Sequence, residues 1–415
     1  MHNQVNWSGK TNKYRFMLLF SLIYISNDTI LFGTNQNDRY IHFHYAMLSF
    51  IAAGALLYVL FKQIKFSRQR LIVVLSFICL SLMSGLMNRD FNIKYIYEIF
   101  LICFALIYVS IVSFDQFVDD FIKVILLFSV SSLGVYLVSV LWRSMLQGLP
   151  IVTNTAWMRF HNAWISLVPV DENYISIYRN YGIFREPGVF QFFLNLALIL
   201  LLFRNSQIYT NLKWMCVLII TVLSTISTAG YIVMAILLVT YLGSNSHSKK
   251  TRLIVMSIVF SAMLAMVYVD STEVMFSKIG NEDNISWISR ISAITANLSI
   301  AAEHPFWGAG WDNIKIEFAM TVANQYRVNE YHNTNTFFKI LAVHGIPFFF
   351  VWVVGMWRFV RVINLNRVIS FVLFVAMFLS LSNEDMTFNV ITWIMVLYGW
   401  GKWERLGRKY ECASI

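Results

Sequence analysis

Five side chains in two polar stretches have the types and positions to handle a phosphate and a proton. The first stretch, "RNYGIFREPGVFQFF", carries Arg179, Arg185 and Glu186. Arginine suits phosphate because its planar fork donates parallel hydrogen bonds and keeps its charge. Pro187 stands where proline is tolerated, in the first turn of a helix. Glu186 therefore falls near a helix N-terminus, where the dipole favours a carboxylate. The second stretch, Asp270 to Pro347, is roughly 75 residues long, too long for an ordinary connection, and carries Arg290 and His332. His332 precedes Asn333, a cap candidate for a predicted helix over Thr334 to Val343. An imidazole at a helix N-terminus is pushed toward its neutral form and can accept a proton. The same N-terminus can bind an anion such as a diphosphate. Plainer readings fit as well. Both arginines of the first stretch could be solvated or touch lipid headgroups, and His332 could be a loop residue without a role. His344 stands beside the helix stop at Gly345 and Pro347 and reads as structural.

The elements that must position these groups are membrane helices. The chain has 415 residues, of which 58% are hydrophobic and 13% charged, against about 25% charged in soluble domains. The apolar residues come in blocks of about 17–23, the length that crosses a bilayer core. About twelve spans follow, near 15–33, 45–61, 71–87, 95–114, 121–142, 188–203, 213–228, 229–243, 253–269, 346–363, 368–383 and 387–401. The expected fold is an all-α polytopic membrane protein, a single integral membrane domain over residues 1–415. The break between the seventh and eighth spans, at "STISTAGY", suits a tight turn or a re-entrant bend. No cleavage pattern follows the first apolar run, so no cleaved signal peptide is expected.

Short loops set orientation, since lysine and arginine favour the cytoplasmic side. "KQIKFSRQR", "RNSQIYTNLK", "SNSHSKKTR", "RFVRVINLNR" and the tail "KWERLGRKY" are all basic and alternate with mixed or acidic loops such as "NRDFNIK" and "SNEDMTF". Both termini are therefore expected inside. "DQFVDD" runs against the trend, although acidic residues weigh little in this rule. The alternation puts residues 143–187 and 270–347 outside, where they would form a cap over an active site. The net charge of +10 is spread through these loops, which argues against nucleic-acid binding. Cys79, Cys103, Cys216 and Cys412 form no C-x-x-C pair, and no metal motif is present. The spans are nearly free of ionisable groups, which disfavours an ion-coupled carrier. Asp28, Glu98 and Lys123 read as interfacial residues.

In "SWISRISAITANLSIAAEHP", Trp287, Ile291, Ile294, Leu298 and Ala301 share one helical face, with Arg290 about 60° off it. Such a helix can lie on the membrane with Arg290 reaching over a pocket. Pro305 ends it, "GAGWDN" turns the chain, and Asp312 or Asn313 can cap the next helix.

Taken together, these stretches resemble the O-antigen polymerase and O-antigen ligase superfamily. "RNYGIFREPG" before a span is similar to the family's R-x-x-G-x-F-x-x-P stretch. "SRISAITANLSIAAEHPFWGAGW" is similar to its Arg-bearing helix with a P-x-x-G-x-G turn. "HNTNTFFKILAVHGIP" is similar to its H-N…G-x-P helix. The resemblance implies a fold like that of type C glycosyltransferases, in a bacterial inner membrane, with the site facing the periplasm or exterior. It implies a glycosyltransferase that acts on undecaprenyl-diphosphate-linked oligosaccharide with no metal or other cofactor. Arg179, Arg290 and His332 fall on the family's functional positions. Arg185 is an extra cation that could bind the diphosphate, and Glu186 is the second choice of base. "FREPG" looks more like the polymerases of O-antigen, capsule or exopolysaccharide assembly. A ligase is the alternative, and a lipid-linked-oligosaccharide flippase the competing transporter. Membrane lipids and a chain-length regulator protein are candidate partners.

Overall fold

The computed structural model describes residues 9–36, 38–154, 157–170, 179–204, 212–244, 285–326 and 333–401. Helices dominate. α1 (Gly9–Tyr24), α2 (Asp38–Phe61), α3 (Arg68–Met87), α4 (Ile93–Ile111) and α5 (Phe114–Leu141) come first. α6 (Pro187–Phe203), α7 (Leu212–Ser224) and α8 (Thr228–Gly243) follow. α9 (Ile285–Glu303), α10 (Gly310–Tyr326), α11 (Thr336–Ile363), α12 (Arg367–Leu381) and α13 (Val390–Gly399) complete the described chain. Polar side chains start many of them. Asn92, Asn335, Asn366 and Asn389 each accept a backbone N–H at the start of α4, α11, α12 and α13, and Ser113 with Gln116 forms a capping box on α5.

Among the described residues, five helices are long and apolar enough to cross a membrane: His42–Phe61 within α2, α3, α4, α5 and α11. α6, α7, α8, α12 and α13 are apolar but shorter. The expected span at 253–269 lies outside the described residues. The first expected span, 15–33, is shorter as a helix, because α1 ends at Tyr24. The turn-forming run Ser26–Thr29 follows, and Asp28 within it is buried. "STISTAGY" forms a tight turn, with Ile226 at φ 47° and Ser227 capping α8.

The bundle is apolar outside as well as inside. Leu57, Leu60, Ile72, Leu75 and Leu82 of α2 and α3 are exposed. A surface of this kind is stable against lipid and unstable in water. α6 is buried along Pro187–Leu200 and sits at the centre, as a helix apolar on all sides must. α11 packs on α3, α9, α12 and α13.

The first long loop departs from the expected all-α fold. After a 3-10 turn at Arg143–Leu146 it forms an antiparallel sheet of β1 (Ile151–Thr153), β2 (Arg159–Asn162) and β3 (Leu167–Pro169), in that order. Its β-branched and aromatic residues fit a half-buried sheet, with Phe160 fully buried between neighbours.

The acidic run "DQFVDD" is explained by partners. Asp115 pairs with Arg204, and Asp120 pairs with Arg15, one of their contacts being 3.2 Å. Glu98 differs from the expectation. It is not interfacial: it is fully buried in α4, where it takes Ser81 Oγ at 3.1 Å and lies 3.0 Å from His344 Nε2 on α11. Lys123 is exposed.

The turn after α9 interlocks with a break in α11. Gly345 interrupts α11 at φ 78°, and a Cβ there would lie 2.4 Å from the Phe306 carbonyl oxygen. A Cβ on Gly308 would lie 2.2 Å from Val343. Ala309 N–H donates to Ala342 O and Ile346 N–H to Pro305 O, both at 2.8 Å. Ser84 Oγ of α3 donates to Trp307 O at 2.7 Å. Two glycine-bearing motifs thus meet backbone to backbone, at a distance only glycine allows.

Candidate functional site

Four connections converge at one end of the bundle. They are the α1–α2 loop, the segment 179–186 before α6, the α7–α8 turn and the α12–α13 turn. Asn180 pins its segment to the α7–α8 turn: its N–H donates to Ser224 O at 2.9 Å, and Nδ2 donates to Ser224 Oγ at 3.0 Å. Gly182, at φ 55°, packs so closely on Phe190 that a Cβ would meet its ring at 2.9 Å. Ile183 O and Arg185 N–H bond to the α1–α2 loop at Ile30 and Asp28. The segment is held along its length, so its side chains are directed by backbone bonds.

Arg185 is tied into this frame. Nε donates to Asp28 Oδ1 at 3.3 Å, Nη1 to Glu186 Oε1 at 3.2 Å and Nη2 to Asp385 O at 2.9 Å. Burial opposes its charge, but Asp28, Glu186, Glu384 and Asp385 raise it above the usual arginine range. Asp28 is also held by Asn389 Nδ2 at 2.5 Å. Burial raises the Asp28 carboxyl, against the pull of Arg185.

Arg179 is bound more lightly. Its Nε donates to Thr225 O at 3.1 Å, and no other hydrogen bond or ion pair holds it among the described residues. Burial, with the repulsion of Arg290, pulls its guanidinium below the usual range, while Glu186 and Glu384 work the other way. Arg290 itself has no hydrogen bond or ion pair among the described residues. The two arginines lie 111 positions apart in sequence yet stand close enough to repel. They have guanidinium donors to spare, a costly arrangement unless an anion joins it.

α9 brings Arg290 there. Ala293, Ala296, Asn297 and Ile300 are buried, while Leu298 is exposed and Ile294 only partly covered. Small residues let α9 approach Ala342 and Val343 of α11, where bulky ones would hold it off. Arg290 lies one and two turns before Ala293 and Asn297, so it shares the inward face.

The cap of α10 is also supplied differently. Asp312 lies inside the first turn of α10 and caps nothing. Asp90, from the α3–α4 turn, accepts Asp312 N–H at 2.9 Å and Asn92 N–H at 2.9 Å. Burial would raise Asp90, yet these N–H bonds hold it below the ordinary carboxylate range. α11 starts at Thr336 with Asn335 as its cap, two residues after the expected Asn333. Asn333 instead exchanges two 2.8 Å hydrogen bonds with Asn297 of α9. His332 lies outside the described residues.

Glu186 is the N-cap residue of α6, but its side chain makes no cap bond. It is 51% exposed and paired with Arg185. The buried acid is Glu384, in the α12–α13 turn, 4% exposed. Its Oε1 lies against Gly188, the second residue of α6. Its carbonyl accepts Thr336 N–H at 3.1 Å and the Thr336 hydroxyl. Burial and the nearby Glu186 push the Glu384 carboxyl up to about 8, against Arg185 and Arg290. Burial would also raise the next residue, Asp385, but Lys339 at 2.6 Å, Thr387 and Arg185 leave it below the ordinary range. In the sequence both acids fall in "SNEDMTF", a loop that serves there only to orient the chain. Their one signal was an acidic pair between two highly apolar runs.

A cavity of about 260 Å³ opens beside this cluster, with Arg185, Glu186, Trp311, Asn333 and Lys339 in its wall. The described residues contain no group of three or more His, Cys, Asp or Glu side chains placed to hold a metal.

Residues 214–353 match the family model described as O-antigen ligase. The matched span contains Arg290 and His332 but neither Arg179 nor Glu384. No curated protein matches the chain.

Proposed function

We propose that this chain, whose residues 214–353 match the family model described as O-antigen ligase, polymerises undecaprenyl-diphosphate-linked oligosaccharide repeat units. The growing glycan passes from its lipid diphosphate to an acceptor repeat unit, on the outer side of a bacterial inner membrane, with both termini inside. The observation that supports this reading is that Arg179 and Arg290 lie within electrostatic reach of each other and of Glu384, which packs on the start of α6. Two guanidinium groups from separate polar stretches would neutralise the charge that grows on the leaving diphosphate.

The acceptor hydroxyl attacks the anomeric carbon, the bond to the diphosphate oxygen breaks, and the hydroxyl proton passes to a base. His332, Glu186 and Glu384 are the candidates for that base. Arg185 fixes the frame through Asp28 and the α12–α13 turn and stands second in line as a diphosphate ligand. The description of the matching family favours one second reading, a ligase that transfers the glycan to lipid A-core or another acceptor. A deletion strain separates the two on a glycan gel. Loss of a polymerase leaves single repeats on the final acceptor, whereas loss of a ligase leaves none. For the site, Arg179→Ala, Arg290→Ala and His332→Ala should each abolish long-chain glycan at normal protein level. Normal chain length in all three would overturn the assignment.

A further inference from the structure

The cavity beside the arginine pair is charged in a way that the transfer of a neutral sugar does not require. Lys94, Arg185, Lys315 and Lys339 line it, against the carboxylates of Glu186 and Asp385. Both acids are already engaged, Asp385 by Lys339 at 2.6 Å and Glu186 by Arg185 at 3.2 Å. Lys94 and Lys315 have no ion pair among the described residues. Lys94 Nζ and Lys339 Nζ both stand over the Trp311 ring, 5.4 and 5.7 Å from its centre. That ring draws cations toward one wall. Trp311 and Thr334 also line the cavity, and Trp311 Nε1 and Thr334 Oγ1 are buried without a hydrogen-bond partner among the described residues. A buried donor left unpaired is costly, so a ligand oxygen is the natural partner for each.

Size narrows the choice. At about 260 Å³ the cavity falls below the range of about 300–1,000 Å³ for pockets that hold drug-sized molecules. It suits one sugar ring and not a chain. Position narrows it further, since Glu186 lines the cavity and its carboxylate also acts on Arg179.

We propose that this cavity is the subsite for the sugar next to the reacting bond, and that it takes an acidic sugar, a ring bearing a carboxylate. Lys94 and Lys315 meet the charge, and Trp311 Nε1 and Thr334 Oγ1 donate to ring substituents. The proposal rests on the glycosyltransferase reading above and names the substrate class of that same site.

The test uses the full chain in detergent and saturation-transfer NMR. The probes are methyl glycosides of glucuronic acid, galacturonic acid and N-acetylneuraminic acid, with methyl glucoside as the neutral control and inorganic diphosphate as a separate probe. At least one acidic glycoside should bind about tenfold more tightly than the glucoside, the size of one charge-assisted contact. Lys94→Gln with Lys315→Gln should remove that preference, and Lys315→Gln alone, on an exposed side chain, should reduce it. Arg179→Ala with Arg290→Ala should leave it in place while weakening diphosphate binding. Equal binding of acidic and neutral glycosides overturns the proposal, as does a preference unchanged in the lysine variants. Loss of diphosphate binding in the lysine variants, with the arginine variants unaffected, makes the cavity a phosphate site and overturns it too. Should diphosphate binding survive the arginine variants while the acidic-sugar preference follows the lysines, the diphosphate role of the arginines fails and the acidic subsite stands.

Discussion

The Glu384 carboxyl occupies the space that a side chain at Gly188 would need: an ideal Cβ there would lie 1.6 Å from Oε1. The start of α6 is therefore shaped around an acid from a turn nearly 200 positions later in the chain. Gly188→Ala should drive Glu384 away and cost about 1–3 kcal/mol, as overpacking does. Adding Glu384→Ala should recover most of that loss, because the clash partner is gone. Melting temperatures of both single variants and the double variant decide it, and plain additivity would show that the two residues do not collide.

Glu384 also makes a pH prediction. Its carboxyl rises from an ordinary 4.5 to about 8 through burial and Glu186. Between those values the folded chain holds a proton that the unfolded chain has released. Stability from this group is thus fully present below pH 4.5, is lost as pH rises to 8, and is flat above that. Glu384→Gln keeps a neutral side chain at every pH and should flatten that part of the profile. A melting temperature that falls equally in both proteins between pH 5 and 8 would place the titration elsewhere.

Arg179 and Arg185 sit six residues apart and should behave differently. Arg185 closes contacts to Asp28, Glu186 and Asp385. Its loss leaves Asp28 buried without its cation and should cost about 3–5 kcal/mol. Arg179→Ala and Arg290→Ala remove groups with little or no internal bonding, so each should change stability by no more than about 1 kcal/mol. Both should nevertheless abolish long-chain glycan. Thermal melts together with a glycan gel test this, and a melt in which Arg179→Ala is the more damaging would reverse the roles.

Much of this arrangement was legible because membrane helices announce themselves by length and apolarity. The polar stretches around Arg179 and Arg290 stood out against that background. What was hidden depends on contacts that local periodicity does not record. The protein-facing side of α9 is set by how near α11 can come, so Ala293 and Ala296 pack there while the bulkier Ile294 and Leu298 stay on the outer side. The cap of α10 comes from Asp90, some 220 positions earlier, while a reading of adjacent residues offers only Asp312 and Asn313. Glu384 looked like any loop acid until the fold placed it on Gly188.

The buried pair of Glu98 and His344 yields the last prediction. Both are fully buried, 3.0 Å apart, and join α4 to α11 one residue before the break at Gly345. His344 stacks on Phe348 at 4.1 Å between ring centres and meets Trp311 edge-on at 5.8 Å. Trp311 in turn lines the cavity beside the arginines. The pair therefore supports that wall without touching the diphosphate ligands. His344→Ala should cost about 3–5 kcal/mol by stranding a buried carboxyl. Glu98→Gln can keep a hydrogen bond to the ring and should cost less. Gly345→Ala should also destabilise, by about 1–3 kcal/mol from its positive φ alone, with the contact to Phe306 O adding to it. Trp311 fluorescence in a background lacking other tryptophans near the cavity would report movement of the wall. If His344→Ala melts like the parent protein and leaves that signal unchanged, the pair does not brace the site.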